Sequence, residues 1–408
     1  MNLDKKRWLV LAACCLVNLC LGSVYAWSVF ASPMAVHLTQ KLGREITVGD
    51  LAIVYTVANS VGPITMICGG WFNDKFGPRK VVLVGGAMFG TGMILSGFAT
   101  SVGYLVLTYG LLGGLGLGMA YGCTISGCVK FFPDKRGLIG GLTTAAYGFS
   151  SVLIPPIATA IVSAYGVKAA FTAIGGAFLA IISICSFFIS KCPDGYTPEG
   201  WTAPVSVGKA SDTEMDWKGM LGCPVFYVMI ALLTCGAFSG MMIISQASAV
   251  AQNMVGLSVM VASTAVSILA AFNAAGRILA GSLSDKIGRI NTLTASCVLS
   301  VVGLLLLYVT GEGGFVTFYA GIALVGICFG SFMGVFPGFT ADQFGVKNNS
   351  VNYGIMFIGF AAAGYFGPSI MRSIYASSGA YQKAFLAACG LNAAGILLTV
   401  FYRKMTRK

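Results

Sequence analysis

GWFNDKFGPRK, residues 70–80, returns as GSLSDKIGRI, residues 281–290, with Asp74 matching Asp285 at an offset of 211. Each stretch is a short basic break between long apolar runs. Other pairs keep the same distance. LGMAYGCTISGCVKFF (117–132) answers FGSFMGVFPGFTADQF (329–344), placing Gly118 on Gly330 and Phe132 on Phe344. YGFSS (147–151) answers IGFAA (358–362). One such match means little. Several at an offset of 211 or 212 mean that the chain is one unit written twice.

Composition says what is repeated. Of 408 residues, 57% are hydrophobic and 9% charged, against about 25% charged in a soluble domain. Twelve apolar segments recur, at roughly 8–36, 51–73, 81–99, 103–130, 138–163, 168–190, 222–250, 258–282, 291–310, 315–340, 351–376 and 381–402. Each is near the ~20 residues that a helix needs to cross a bilayer core. They lack the alternation of barrel strands. The basic start MNLDKKRWLV runs into an apolar stretch too long for a signal peptide, and reads as a retained first helix. The longest hydrophilic stretch, 191–219, carries three prolines and mixed charge, and reads as a cytoplasmic linker. The expected fold is an all-α membrane protein of twelve transmembrane helices in two pseudo-symmetric six-helix halves. The halves are 1–190 and 220–408, joined by linker 191–219.

Charge sets the expected orientation. Lys5, Lys6, Arg7, Lys75, Arg79, Lys80, Lys135, Arg136, Lys286, Arg289 and the tail Arg403, Lys404, Arg407 and Lys408 fall on the side of the termini. Only Lys41, Arg44, Lys168 and Lys383 fall in the opposite loops. The positive-inside rule then puts both termini in the cytoplasm, with the protein multi-pass in the cell membrane. The net charge of +12 is a topology signal. No soluble domain offers itself to nucleic acid. The 13 cysteines are scattered without metal-site spacing, and read as free thiols. No metal or cofactor is expected. No base–nucleophile constellation accompanies the single histidine, His37, so an enzyme is not expected either.

One residue breaks the apolar pattern. In SILAAFNAAGRILAG (267–281), Arg277 stands eight residues before Asp285. At 1.5 Å per residue this is about 12 Å below the membrane surface, where a charge costs about 2.5–3.5 kcal/mol or more. None of the 13 acids falls mid-segment, so the sequence supplies no counter-charge. A guanidinium matches a carboxylate with a planar fork. The expected counter-charge is therefore a small organic anion that arrives as substrate. Asn273 lies one turn away on the same face.

Duplicated six-helix halves imply a transporter with its substrate near mid-membrane. The chain resembles the major facilitator superfamily over its whole length. The superfamily's loop signature stands as Gly70, Asp74, Lys75, Gly77, Arg79 and Lys80, and again as Gly281, Asp285, Lys286, Gly288 and Arg289. The resemblance implies a gate in which Asp74 meets the positive N-terminal end of the eleventh helix. Asp74, Arg79, Asp285 and Arg289 are its expected residues.

SVYAWSVF, GMAYGC, AAYGFS, FFPDKRG, FNAAGR, NYG (352–354) and YGIMFIGF carry a closer resemblance, to the oxalate/formate antiporter family. That family includes bacterial lactate and pyruvate carriers and is similar to the animal monocarboxylate transporters. Its arginine in the eighth helix falls on Arg277, and its tyrosines fall on Tyr25, Tyr121 and Tyr147. Trp27, Phe357 and Phe360 are further candidates to line the cavity. Two departures narrow the reading. Phe360 stands where oxalate carriers have a second cation. Asn273 stands where the proton-coupled animal carriers have an aspartate. One cation suits one carboxylate.

The expected function is alternating-access transport of a small monocarboxylate of the lactate, pyruvate, acetate or formate class. Coupling is proton symport or anion exchange. The other partners are the lipid bilayer and protons, and the protein is expected to work as a monomer. The alternatives are a dicarboxylate exchanger with Arg372 as second cation, and a carboxylate sensor of the same fold.

Overall fold

The computed structural model describes residues 3–201 and 214–406. Part of the expected linker, 202–213, lies outside the described residues, as does the end of the basic tail, Arg407 and Lys408. No strand occurs among the described residues. The membrane-spanning helices are α1 (Leu3–Leu42), α2 (Ala52–Phe76), α3 (Pro78–Ser96) and α4 (Val102–Phe131). Next, Arg136–Phe188 bends at Gly166 (φ 81°, ψ 170°) and so divides into α5 (136–165) and α6 (167–188). Then follow α7 (Pro224–Val255), α8 (Val259–Ile287), α9 (Arg289–Val309), α10 (Phe315–Phe344), α11 (Asn349–Ser378) and α12 (Gln382–Thr406). The bend at Gly166 turns eleven long apolar stretches into the twelve helices read from the sequence.

The signature glycines have a backbone reason. Gly77 (φ 88°, ψ 164°) joins α2 to α3, and Gly288 (φ 89°, ψ 152°) joins α8 to α9. Only glycine enters this region without strain. One residue therefore makes each turn, and the acid three residues earlier is fixed at the helix end. Gly77→Ala and Gly288→Ala are each expected to destabilise the protein by about 1–3 kcal/mol. A lower melting temperature in detergent is the check.

The helices pack as two compact units. Unit 1 is Met1–Pro133, Ala146–Thr202 and Lys347–Ile355, and unit 2 is Asp134–Ala145, Ala203–Val346 and Met356–Lys408. The first turns of α5 thus belong to unit 2, and the first turns of α11 to unit 1. In unit 2, α10 is buried on almost every side and packs on α8 and α9. In unit 1, α4 packs on α2 and α3. Besides α2, which breaks at Val61, three helices depart from α geometry among the described residues. α1 tightens to a 3₁₀ stretch over Gly22–Ala26, α4 opens to a π stretch over Val106–Gly113, and α11 breaks at Phe357. Such stretches often mark functional positions.

Candidate functional site

In unit 1, Asp74 stands in the last turn of α2. The first amides of a helix have no partner within that helix. One of those opening α11, Val351 N, donates to Asp74 Oδ2 at 3.2 Å. Lys130 Nζ, at the end of α4, donates to Asp74 Oδ1 at 2.7 Å and to the Lys347 carbonyl at 3.1 Å. The buried Ser350 hydroxyl lies 2.8 Å from Asn73 Nδ2 and 2.8 Å from Ser126 Oγ. Gly70 permits the approach, since a Cβ there would lie 2.7 Å from the Ser350 carbonyl. A carboxylate at this place also opposes the positive end of the α11 dipole.

Unit 2 repeats the arrangement around α5. Asp285 accepts from Gly137 N and Leu138 N, both at 2.9 Å. Gly281, the repeat mate of Gly70, comes so close that its Cβ would lie 2.3 Å from the Gly137 carbonyl. The charges differ. The repeat position of Lys130 is Asp342, of opposite sign. Arg289 spans both acids, with Nη1 2.6 Å from Asp285 Oδ1 and Nε 2.8 Å from Asp342 Oδ2. Arg136 Nη1 meets Asp342 Oδ1 at 2.6 Å. Asp74 and Asp285 therefore accept amides at the N-terminal ends of α11 and α5, and Arg289 pairs with Asp285. Arg79 goes elsewhere. Its guanidinium lies over the Phe187 ring at 4.6 Å, and it forms no ion pair with Asp74 among the described residues. Lys130, Arg136 and Asp342 form these ion pairs, and the sequence alone did not single them out. The first and last already stand at matching positions of the repeat 117–132 and 329–344, where their opposite signs hide the correspondence.

Deeper in unit 2, α8 carries Arg277, which is 2% exposed. Nε donates to Asn273 Oδ1 at 3.1 Å, and Nη1 donates to the Thr144 carbonyl at 2.6 Å. Both acceptors are neutral. Arg277 forms no ion pair among the described residues. The helix around it is gripped closely. A Cβ on Gly141 would lie 2.2 Å from the Arg277 carbonyl oxygen, and one on Gly334 2.4 Å from it. Small residues on α5 and α10 thus fix the arginine's backbone, while Asn273 and Thr144 fix its head. Phe357 and Phe360 stack at 4.5 Å, with Phe329 6.2 Å from Phe360. Arg372 is exposed.

In unit 1, three of the expected residues form one cluster. Tyr147 lies 5.3 Å from Tyr25 and 4.8 Å from Tyr121 between ring centroids. Tyr25 stands on the 3₁₀ stretch of α1. Trp27 turns away and packs on Tyr109 at 4.7 Å. The hydroxyls of Ser23 and Ser150 are buried near the same stretches and have no hydrogen-bond partner among the described residues. Neither serine stands out in the sequence, because serine in a membrane helix usually bonds its own backbone.

The chain matches the family model described as Major Facilitator Superfamily over residues 16–314 and 237–408. It is 30% identical over 381 residues to the oxalate:formate antiporter of Oxalobacter formigenes, covering 93% of this chain and 87% of that protein. It is 29% identical over 367 residues to the uncharacterized MFS-type transporter YhjX of Escherichia coli (strain K12), covering 88% and 86%. Human monocarboxylate transporter 12 is 28% identical over 199 residues, 47% of this chain and 37% of that one. Among solved structures, the transporter FucP in its outward conformation shares the fold, with a TM-score of 0.72 at 13% identity over 97% of this chain and 99% of that one.

Proposed function

This chain belongs to the major facilitator superfamily and, within it, to the oxalate/formate antiporter family, and from that premise we propose that it carries a small monocarboxylate across the cell membrane. The protein is a transporter rather than an enzyme. The substrate is of the lactate, pyruvate, acetate or formate class. One observation carries the reading: Arg277 is buried in a membrane helix with only neutral acceptors, Asn273 Oδ1 and the Thr144 carbonyl. A buried charge left in that condition is costly. A substrate carboxylate would supply the missing charge.

In this mechanism the halves 1–190 and 220–408 rock about the substrate, with 191–219 as their tether. Arg277 neutralises the carboxylate. Asn273 keeps the guanidinium plane fixed, and the Tyr25–Tyr121–Tyr147 cluster offers hydroxyl donors and walls. Phe357 and Phe360 bound the apolar part of the substrate. Asp74 and Asp285, with Lys130 and Arg289, act as latches that hold α11 and α5 on the side of the termini. That side is assigned to the cytoplasm by the positive-inside rule. The protein works as a monomer, by proton symport or by anion exchange.

A dicarboxylate exchanger would need a second buried cation. Arg372 is exposed, and Phe360 occupies the place of that cation in oxalate carriers. Uptake of labelled lactate into proteoliposomes tests the proposal. Saturable uptake, driven by a pH gradient or by an opposing anion, is expected. Binding without uptake would make the protein a sensor.

Proton coupling, where it operates, runs through the bound acid or a water near Asn273. His37 is half-buried near the end of α1 remote from the terminus. His37→Ala is therefore expected to keep the response of uptake to a pH gradient. A variant that exchanges anions but ignores the gradient would make His37 the proton site.

A further inference from the structure

Arg79 belongs to the signature, yet neither latch uses it. Its guanidinium lies 4.6 Å over the Phe187 ring, and it forms no ion pair among the described residues. A guanidinium stacked on a ring keeps its N–H donors in its own plane, along its edge. Arg79 is exposed, so that edge is open. Lys80, next in the chain, is exposed as well.

A further cation arrives from the end of α6. A Cβ on Gly77 would lie 3.1 Å from Lys191 Cβ. The stem of Lys191 therefore rests on the turn between α2 and α3, two residues before Arg79. Among the described residues Lys191 pairs only with Asp194, at 4.0 Å, and the Asp194 side chain is 95% exposed. So long and so exposed a pair contributes little.

Beside these cations the surface is apolar. α3 and α6 pack closely, since a Cβ on Gly86 would lie 2.1 Å from Ile182 Cγ2 and one on Gly90 2.8 Å from Leu179 Cβ. Leu83, one turn beyond Arg79 on the same face of α3, is exposed. So are Phe187 and, one turn from it on α6, Ile184. The cations stand at the helix ends on the side of the termini, and the apolar side chains stand further into the membrane span. That is the order of a phospholipid, with phosphate outside and acyl chain inside.

We propose that this edge of α3 and α6, within unit 1, is a binding site for an anionic phospholipid of the leaflet on the side of the termini. The phosphate takes the Arg79 edge in a two-pronged pair. Lys191 adds a second positive charge, and an acyl chain lies along Leu83, Ile184 and Phe187. The charge of the site selects the headgroup. A zwitterionic lipid would bring its own ammonium among cations, whereas an anionic one leaves a net negative charge to meet them. The inference is independent of the anion that the protein carries.

Native mass spectrometry of the full chain, released from neutral detergent micelles, counts the phospholipids it retains. Phosphatidylglycerol and phosphatidylcholine of the same acyl composition are offered to the parent, Arg79→Gln, Lys191→Gln and Lys404→Gln. Lys404 is exposed on the side of the termini in unit 2, so its variant loses the same charge from the same side. The parent is expected to retain phosphatidylglycerol in preference to phosphatidylcholine. Arg79→Gln and Lys191→Gln are each expected to weaken that retention about fivefold, the effect of one cation at an anionic membrane surface. Lys404→Gln is expected to match the parent, and inorganic phosphate, which has no acyl chain, is expected to displace no lipid. Equal retention of the two lipids by the parent would overturn the inference without recourse to any variant. Equal losses in Arg79→Gln and Lys404→Gln would overturn it too, as the mark of diffuse attraction. Displacement by inorganic phosphate would do the same, as the mark of a site for the free ion.

Discussion

Arg277→Ala is expected to lose carboxylate binding by at least about 30-fold while the protein stays folded. Truncating one partner of a buried charged pair costs about 2–5 kcal/mol, most of it from the charge left behind. Here the abandoned charge is the proposed substrate's own, and the groups beside it, Asn273 and the Thr144 carbonyl, are neutral. The fold should tolerate the change, because an uncompensated buried cation is removed rather than created. Asn273 and Thr144 each lose one donor, a smaller loss. Arg277→Lys keeps the charge but not the planar fork. A lysine cannot hold Asn273, Thr144 and a carboxylate in one plane, so this variant should be impaired nearly as severely. Titration of lactate into detergent-purified variants is the check. Alanine-variant binding within threefold of the parent would remove Arg277 from the site.

The second large effect belongs to the latches. Asp74→Asn is expected to shift the protein toward states open on the side of the termini, by about 5- to 30-fold in population, the equivalent of about 1–2 kcal/mol. Two losses combine. The Val351 amide faces a neutral acceptor, and Lys130, largely buried at 18% side-chain exposure, loses its carboxylate. Asp285→Asn should shift the same equilibrium less, because Arg289 keeps Asp342. Distances between spin labels on the terminus-side ends of α4 and α10 read the populations. Identical distributions in parent and Asp74→Asn would end the latch assignment.

Much of this architecture is written in the sequence, and the reason is the bilayer. A membrane forces each crossing into an apolar helix of nearly fixed length, so the twelve segments are legible from hydropathy. Duplication then makes each half a check on the other: Asp74 and Asp285, and Gly77 and Gly288, hold matching positions. Arg277 was legible for the same reason, since a charge is conspicuous where charges are expensive. Its partners were legible only in part. Asn273 shows itself by helical spacing. The Thr144 carbonyl does not, because a backbone acceptor leaves no mark on residue identity. The proposed gate was half legible. The acids lie in the signature, whereas the cation that answers Asp74 is Lys130 and not Arg79, and the equivalent place in the other half is acidic. Tyr25 and Trp27, two residues apart in one segment, part company where α1 becomes 3₁₀. Tyr25 joins Tyr147 and Trp27 joins Tyr109. Periodicity assumes regular helix, and it fails where the helix is irregular.

Competition binding bears most directly on the pairing of one buried cation with one carboxylate. Purified protein is titrated with lactate, pyruvate, acetate and formate, and with oxalate and malonate, at one pH and one ionic strength. The account predicts saturable binding of at least one monocarboxylate, and weaker binding of both dicarboxylates, whose second charge would lie buried without a partner. Tighter binding of oxalate or malonate than of every monocarboxylate would contradict it.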